Sequence, residues 1–288
     1  MVVKIVTDSS AAFPPKLAEE LGITVVPLYI RFGDRVYRDG LDMDDDEFYR
    51  ELSKSPVHPV TIQPGIQDFV EIYQKVARDA SAIVSIHISA KLSGTYNSAL
   101  QATSLMDAGC PIEVIDSQTT TAALGLICIE AARAANAGKD LQYVVSIVEE
   151  AIQNTYMIGM LDSLKYLYEG GRVGKAKSLL GSVLSVKPVI ALKNGELLPV
   201  GRVRTRARGI AELFEYMTHA KRIENMTVAY NTAAEEATDL SKSLAKKFKF
   251  KKKGIMLARL GTTIGVHTGP GTLIVAFRGN MNSSYQHN

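Results

Sequence analysis

The 288 residues are 46% hydrophobic and 22% charged, ordinary globular proportions that exclude a disordered or fibrous chain and suggest two domains or one large α/β unit. The net charge of +3 hides a split, because residues 1–144 carry 12 Lys/Arg against 19 Asp/Glu and the remainder 21 against 11. Such a dipolar chain would steer an anionic ligand or an acidic partner towards its C-terminal half. Cys110 and Cys128 without a CxxC spacing offer neither a disulfide framework nor a zinc site and read as buried, reduced thiols. No apolar run reaches the roughly 18 residues that span a bilayer; the best candidate, Ser178–Leu192, is cut by Lys187-Pro188. The N-terminus reads as a strand rather than a signal peptide, which places the protein in the cytoplasm.

In chain order, Val2–Thr7 is a β-branched strand ending in Asp8-Ser9-Ser10, and Pro14–Leu21 is a helix. Ile23–Ile30 and Arg35–Arg38 flank Gly33-Asp34 as a hairpin, Asp42–Ser53 is a helix with acids in its first turn, and Ser55–Pro64, with three prolines, is a loop. A helix over Ile66–Arg78, a strand at Ala82–Ile88, a helix from Ser93 to Met106, a strand at Ile112–Ile115 and a helix over Thr120–Asn136 follow. This alternation implies parallel strands covered on both faces. A helix to Asn154, a strand at Tyr156–Met160 and a helix over Leu161–Glu169 lead into a different pattern. There we expect a helix at Lys175–Leu184, strands flanking the turn Asn194-Gly195, helices over Ala207–Ala220 and Ala233–Phe248, and strands near 226–230, 255–259 and 272–278. The expected organisation is an N-terminal, largely parallel α/β/α domain over 1–158 and a C-terminal α+β domain with a mixed sheet over 159–288.

Ligands bind beyond the carboxyl ends of open α/β sheets. Three such ends carry small polar residues: Asp8-Ser9-Ser10, Ser93-Gly94-Thr95 and Asp116-Ser117. Each alone reads as an ordinary cap, and only their convergence makes a pocket. His267, set among Gly265, Gly269, Pro270 and Gly271, is expected on a tight loop and is the best-placed histidine; His58, His87, His219 and His287 lack such a setting. No metal-ligand spacing, GxxxxGK[ST] or GxGxxG occurs, so no metal or nucleotide cofactor is expected. Arg202, Arg204, Arg206 and Arg208 alternate and would share one side of an extended segment, and Lys246–Lys253 adds a second basic run. With only Phe248 and Phe250 interleaved, nucleic acid is not the expected partner.

Six motifs then form a set: Thr7-Asp8-Ser9-Ser10, Thr61-Ile62-Gln63-Pro64, Leu92-Ser93-Gly94-Thr95-Tyr96, Ile115-Asp116-Ser117, Leu164-Lys165-Tyr166-Leu167 with Gly170-Gly171-Arg172-Val173-Gly174, and His267-Thr268-Gly269-Pro270-Gly271. Together, over essentially the whole chain, they resemble the DegV family, which includes the fatty-acid-binding subunits of bacterial fatty acid kinase. The resemblance implies a two-domain protein that buries a long-chain fatty acid such as palmitate or oleate between its domains and presents the carboxylate to a separate kinase subunit, which makes the acyl phosphate. It implies that Thr61, on the 55–65 loop, and Ser93 hold the carboxylate with His267. Asp8, Ser9, Gly94, Thr95, Asp116, Ser117, Arg172, Gly269 and Gly271 would support the pocket, and Arg202, Arg204 and Arg206 would meet the kinase. Such a carrier is not itself an enzyme, has no transmembrane segment, and exchanges lipid by transient membrane contact. The chain departs from the family's usual T-S-Q-P-S loop, with Ile62 and Gly65 in place of two serines.

The competing enzyme reading is a serine hydrolase of acyl esters or thioesters, with Ser93 as nucleophile, His267 as base and Asp8 or Asp116 orienting it. No GxSxG elbow accompanies it. A monomer is the default expectation, since no exposed heptad or long apolar edge can be read.

Overall fold

A computed structural model describes residues 2–106, 109–179, 186–250 and 255–282. Four parallel strands form the first sheet in the order β2-β1-β6-β7: β1 (Val3–Asp8), β2 (Ile23–Val26), β6 (Ala82–His87) and β7 (Ile112–Asp116). Because side chains alternate along a strand, Val3, Ile5, Val84 and Ile86 pack against α5 (Thr121–Asn136) and α6 (Leu141–Gln153). Val6 and Ile83 pack on the opposite face, against α3 (Ile66–Ala77) and α4 (Thr95–Thr103). Burial on both faces explains why these strands are so nearly continuously apolar.

The second sheet is mixed, ordered β10-β9-β8-β13-β11-β12, with β8 (Thr155–Met160), β9 (Lys187–Lys193), β10 (Glu196–Val203), β11 (Ala220–Tyr230), β12 (Ile255–Arg259) and β13 (Leu273–Met281). Only β11 and β12 run parallel; every other pair is antiparallel. One face packs Ile158, Val228, Val275 and Phe277 under α8 (Arg206–Thr218) and α9 (Ala234–Lys247). The other face meets Ala122, Ala123 and Leu126 of α5. Helix α5 is therefore sandwiched between the two sheets, which accounts for twelve of its residues being buried. The position near residue 158 read from sequence as a boundary falls inside β8, all of which belongs to the mixed sheet.

A third, small antiparallel sheet, β4-β3-β5, departs from expectation. The run Ile23–Ile30 is not one strand: Pro27 separates β2 from β3 (Tyr29–Phe32), and the two join different sheets. β3 pairs with β4 (Arg35–Arg38) and with β5 (Val60–Ile62), a strand lying within the segment expected to be loop. Helix α2 (Asp45–Lys54) covers this sheet, and its Phe48 and Tyr49 pack with Ile30 and with Val266 of α10 (Thr262–Thr268).

His267 lies in the last turn of α10 rather than on a loop. Helix α7 is confined to Lys165–Glu169, and Gly174–Leu179 forms a 3₁₀ turn; the rest of the helix expected to Leu184 lies outside the described residues, as do Lys251–Lys253 and His287. The arginine ladder is broken, since Arg202 ends in β10 while Arg206 opens α8. Cys128 is buried, its thiol pushed up to about 12 by desolvation, whereas Cys110 is only half-buried. At the β9–β10 turn Asn194 (φ 51°) and Gly195 (φ 81°) adopt the left-handed pair of a type I′ hairpin. A Cβ at Gly195 would fall 2.4 Å from Ser89 Oγ, which donates to the Gly195 carbonyl, so this turn ties the end of β6 to the mixed sheet.

Candidate functional site

A cavity opens where the C-terminal ends of the parallel strands face the mixed sheet, with about 760 Å³ of atom-free space, part of it open to solvent. Its wall is mostly apolar: Leu28 and Ile88 come from beyond the ends of β2 and β6, and Met157, Gly159, Ile190 and Ile274 from the inner face of the mixed sheet. The apolar lining suits the body of a small organic ligand.

Polar groups gather at one part of this wall. Thr61 on β5 and His267 on α10 meet through Oγ1 and Nε2 at 2.9 Å, although 206 residues separate them in sequence. Ser93, just before α4, also lines the cavity, its hydroxyl sharing a 2.8 Å hydrogen bond with Thr95 Oγ1. Arg172 completes the set; its Nε and Nη1 donate to the Leu92 and Gly170 carbonyls, which fixes the guanidinium beside the cavity. A Cβ at Gly170 would lie 2.2 Å from His267 Nδ1, so only glycine admits the imidazole there. Burial foremost, then the positive Arg172 and His58, holds His267 well below the usual histidine range, to about 3, and the ring is neutral near pH 7.

The other residues singled out in the sequence lie outside the cavity lining. Asp8 is fully buried and accepts from the Ser10 amide and hydroxyl, from His87 Nδ1 at 3.0 Å and from the Ile88 amide at 2.9 Å. His87 Nε2 continues to Ser85 Oγ at 2.7 Å, to which Tyr73 donates. Ser9 Oγ donates to Asp39. Gly94 is small because Gln63 lies against it: an added Cβ would meet Gln63 Oε1 at 2.1 Å. Asp116 accepts from the Ala90 and Gln118 amides, and Ser117 Oγ bonds the Thr119 backbone. Gly269 makes room for the Tyr166 ring, and Gly271 for Asp162 and Arg206.

The hydrolase arrangement is not assembled. Ser93 bonds Thr95 rather than His267, His267 Nδ1 has no partner among the described residues, and Asp8 and Asp116 are engaged elsewhere. Arg206 is likewise not free for docking, because it pairs with Asp162 and Glu236 and donates to the Gly271 carbonyl at 2.8 Å. Arg202 and Arg204 are exposed. Among the described residues no cluster of His, Cys, Asp or Glu is arranged to hold a metal, and no helix is long and apolar enough to cross a membrane.

Sequence reading missed four threonines in the wall, Thr120, Thr121, Thr263 and Thr268, because a hydroxyl at a helix end reads as a cap. It also missed Asp39. Helix α10 begins at Gly261, which has no side chain to cap it, and Asp39 accepts from the Thr262 amide at 3.0 Å and from Thr262 Oγ1 at 2.6 Å. The helix that carries His267 is thus capped from the far side of β4.

The model of the family described as "Uncharacterised protein, DegV family" matches residues 2–279. A DegV domain-containing protein of Streptomyces coelicolor is 36% identical over 276 residues, which cover 94% of this chain and 96% of the relative. The structure of a DegV family protein from Thermus thermophilus, described by its fatty acid binding, superposes with a TM-score of 0.88 at 29% identity, covering 96% of this chain and all of the other. That of DegV from Bacillus subtilis, described as a fatty acid binding protein, gives 0.86 at 29% identity, with 97% and 100% covered.

Proposed function

The chain belongs to the DegV family, and on that premise we propose that it binds a long-chain fatty acid in the cavity between its two sheets, carboxylate at Thr61, Ser93 and His267. The observation that carries this reading is the Thr61–His267 pair set in the wall of a mostly apolar cavity. Each buried methylene contributes about 0.8 kcal/mol, so a dozen offer on the order of 10 kcal/mol before ordering costs. The tail therefore needs only shape, whereas the carboxylate needs donors.

A carboxylate can only accept, so the single Thr61 proton must point to the ligand, and the neutral His267 must donate from Nε2 to Thr61 Oγ1. This tautomer follows from the hydrogen-bond requirement. The Ser93 hydroxyl supplies a second donor by turning from Thr95, and Arg172 adds positive potential. Ile62 and Gly65 contribute no hydroxyl, so Thr61 alone serves from β5.

The protein works as a cytoplasmic carrier rather than an enzyme. It acquires its lipid by transient membrane contact and offers the carboxylate to a fatty acid kinase subunit that docks on the exposed Arg202 and Arg204. Native mass spectrometry of the purified protein, followed by lipid extraction, tests the binding. Wild type should carry a free fatty acid, which Thr61→Val and Ser93→Ala should lose. A wild type that is empty and takes up no long-chain acid when one is supplied overturns the proposal.

A further inference from the structure

Two hydroxyls in the cavity wall have no partner among the described residues: Thr120 Oγ1 and Thr263 Oγ1, on side chains only 7% and 3% exposed. Their neighbours differ. Thr121 Oγ1 donates to the Met157 sulfur, and Thr268 Oγ1 to the Ile264 carbonyl. Thr120 occupies the N-cap of α5, where a threonine ordinarily bonds the first turn, yet its side chain makes no capping bond. Nothing among the described residues consumes either hydroxyl.

Both residues line the same cavity. Ala122 and Ala123, directly after Thr120 and Thr121, pack in one apolar cluster with Ile264, the neighbour of Thr263, and with Met157 and Ile274 of the mixed sheet. Thr263 lies four residues before His267 on α10, on the same helix face and about 6 Å along the axis. The wall thus carries two unused hydroxyls besides the Thr61–His267 pair, that of Thr263 about one helical turn from His267.

We infer that Thr120 and Thr263 receive an oxygen on the acyl chain, so that the preferred ligand is a fatty acid bearing a hydroxyl or keto group near its carboxyl end rather than a plain alkanoic acid. The inference rests on the fatty-acid reading of the cavity. Both oxygens are already closed off from water, and a plain methylene chain laid across these threonines offers them no hydrogen bond. An oxygenated chain satisfies them, and a site built to bond a ligand oxygen discriminates against the analogue that lacks it.

The test is competitive binding of palmitate against hydroxypalmitates substituted near the carboxylate, mid-chain and at the terminal carbon, with wild type, Thr120→Val, Thr263→Val and the double variant. Wild type should bind the acid hydroxylated near the carboxylate about tenfold more tightly than palmitate, and the other isomers less well. Each valine should cut that preference several-fold, and the double variant should reverse it by binding palmitate more tightly than wild type does. Thr→Val preserves shape, and should a variant fail to fold, the wild-type ratio decides alone. Equal or tighter binding of palmitate by wild type, or a ratio that the valines leave unchanged, overturns this inference while leaving a fatty-acid site in place. Binding of no acid at all overturns the fatty-acid reading and this inference with it.

Discussion

At the scale of single residues, His267 carries a pH signature. Its folded value of about 3 lies below the unfolded value of about 6.5, so between these the unfolded chain takes up a proton that the folded one refuses. Stability from the neutral ring is complete above pH 6.5 and declines as the pH falls towards 3. At pH 5 the loss is on the order of 2 kcal/mol. His267→Gln should therefore lose less stability than wild type between pH 7 and 5 in urea titrations; equal slopes would show that the ring is not held neutral. Asp8 makes the opposite case, a residue in a ligand-like motif whose work is structural. Removing its carboxylate would leave His87 Nδ1 and the Ile88 amide unpaired in the core, so Asp8→Ala should cost about 3 kcal/mol or more by urea unfolding.

Among the elements, the alternating strands and helices of the first half were legible because buried parallel strands read as apolar runs and their covering helices as periodic ones. Helix α10 was not. Its sequence Thr-Thr-Ile-Gly-Val-His-Thr combines β-branched residues with glycine and has little intrinsic helix propensity. Asp39 caps it instead, and Phe48 and Tyr49 crowd its Gly265, where an added Cβ would come within 2.5 Å of the Tyr49 hydroxyl. Both determinants are remote in sequence. Asp39→Ala should accordingly unseat α10, weakening retention of bound acid while Asp39→Asn keeps part of it, as read by extraction and titration. Strand β5 was hidden because three residues between Pro59 and Pro64 suffice at a sheet edge. Of the candidate site, Thr61, Ser93, Arg172 and His267 could be found in the motifs, and the structure brings them to one cavity. The unpartnered threonines could not, since their meaning depends on which hydroxyls the fold leaves unused.

For the whole molecule, the charge split narrows once ion pairs are assigned. Arg206 is consumed internally, Arg208 pairs with Glu212 and Arg259 with Asp45, whereas Arg202 and Arg204 stand exposed. Arg202→Glu combined with Arg204→Glu should slow acyl phosphate formation by an added kinase subunit several-fold at low salt, with fatty acid loading retained. An unchanged rate would place the docking surface elsewhere. Ligand that binds only the folded state adds about 2.7 kcal/mol at a hundredfold excess over Kd, so stripping the lipid should lower the melting temperature and adding it back should restore it. The position of β13 bears on how the molecule is made. This strand is the last in chain order among the described elements, yet it lies between β8 and β11 in the interior of the mixed sheet. During synthesis the parallel sheet can close as soon as β7 emerges, whereas β8–β10 and β11–β12 must wait as two fragments with bare edges until residues 273–281 leave the ribosome. A message cut short before Leu273 would yield a half-folded chain primed for aggregation, and the cavity between the sheets, with Ile274 in its wall, is among the last features of the protein to come into being.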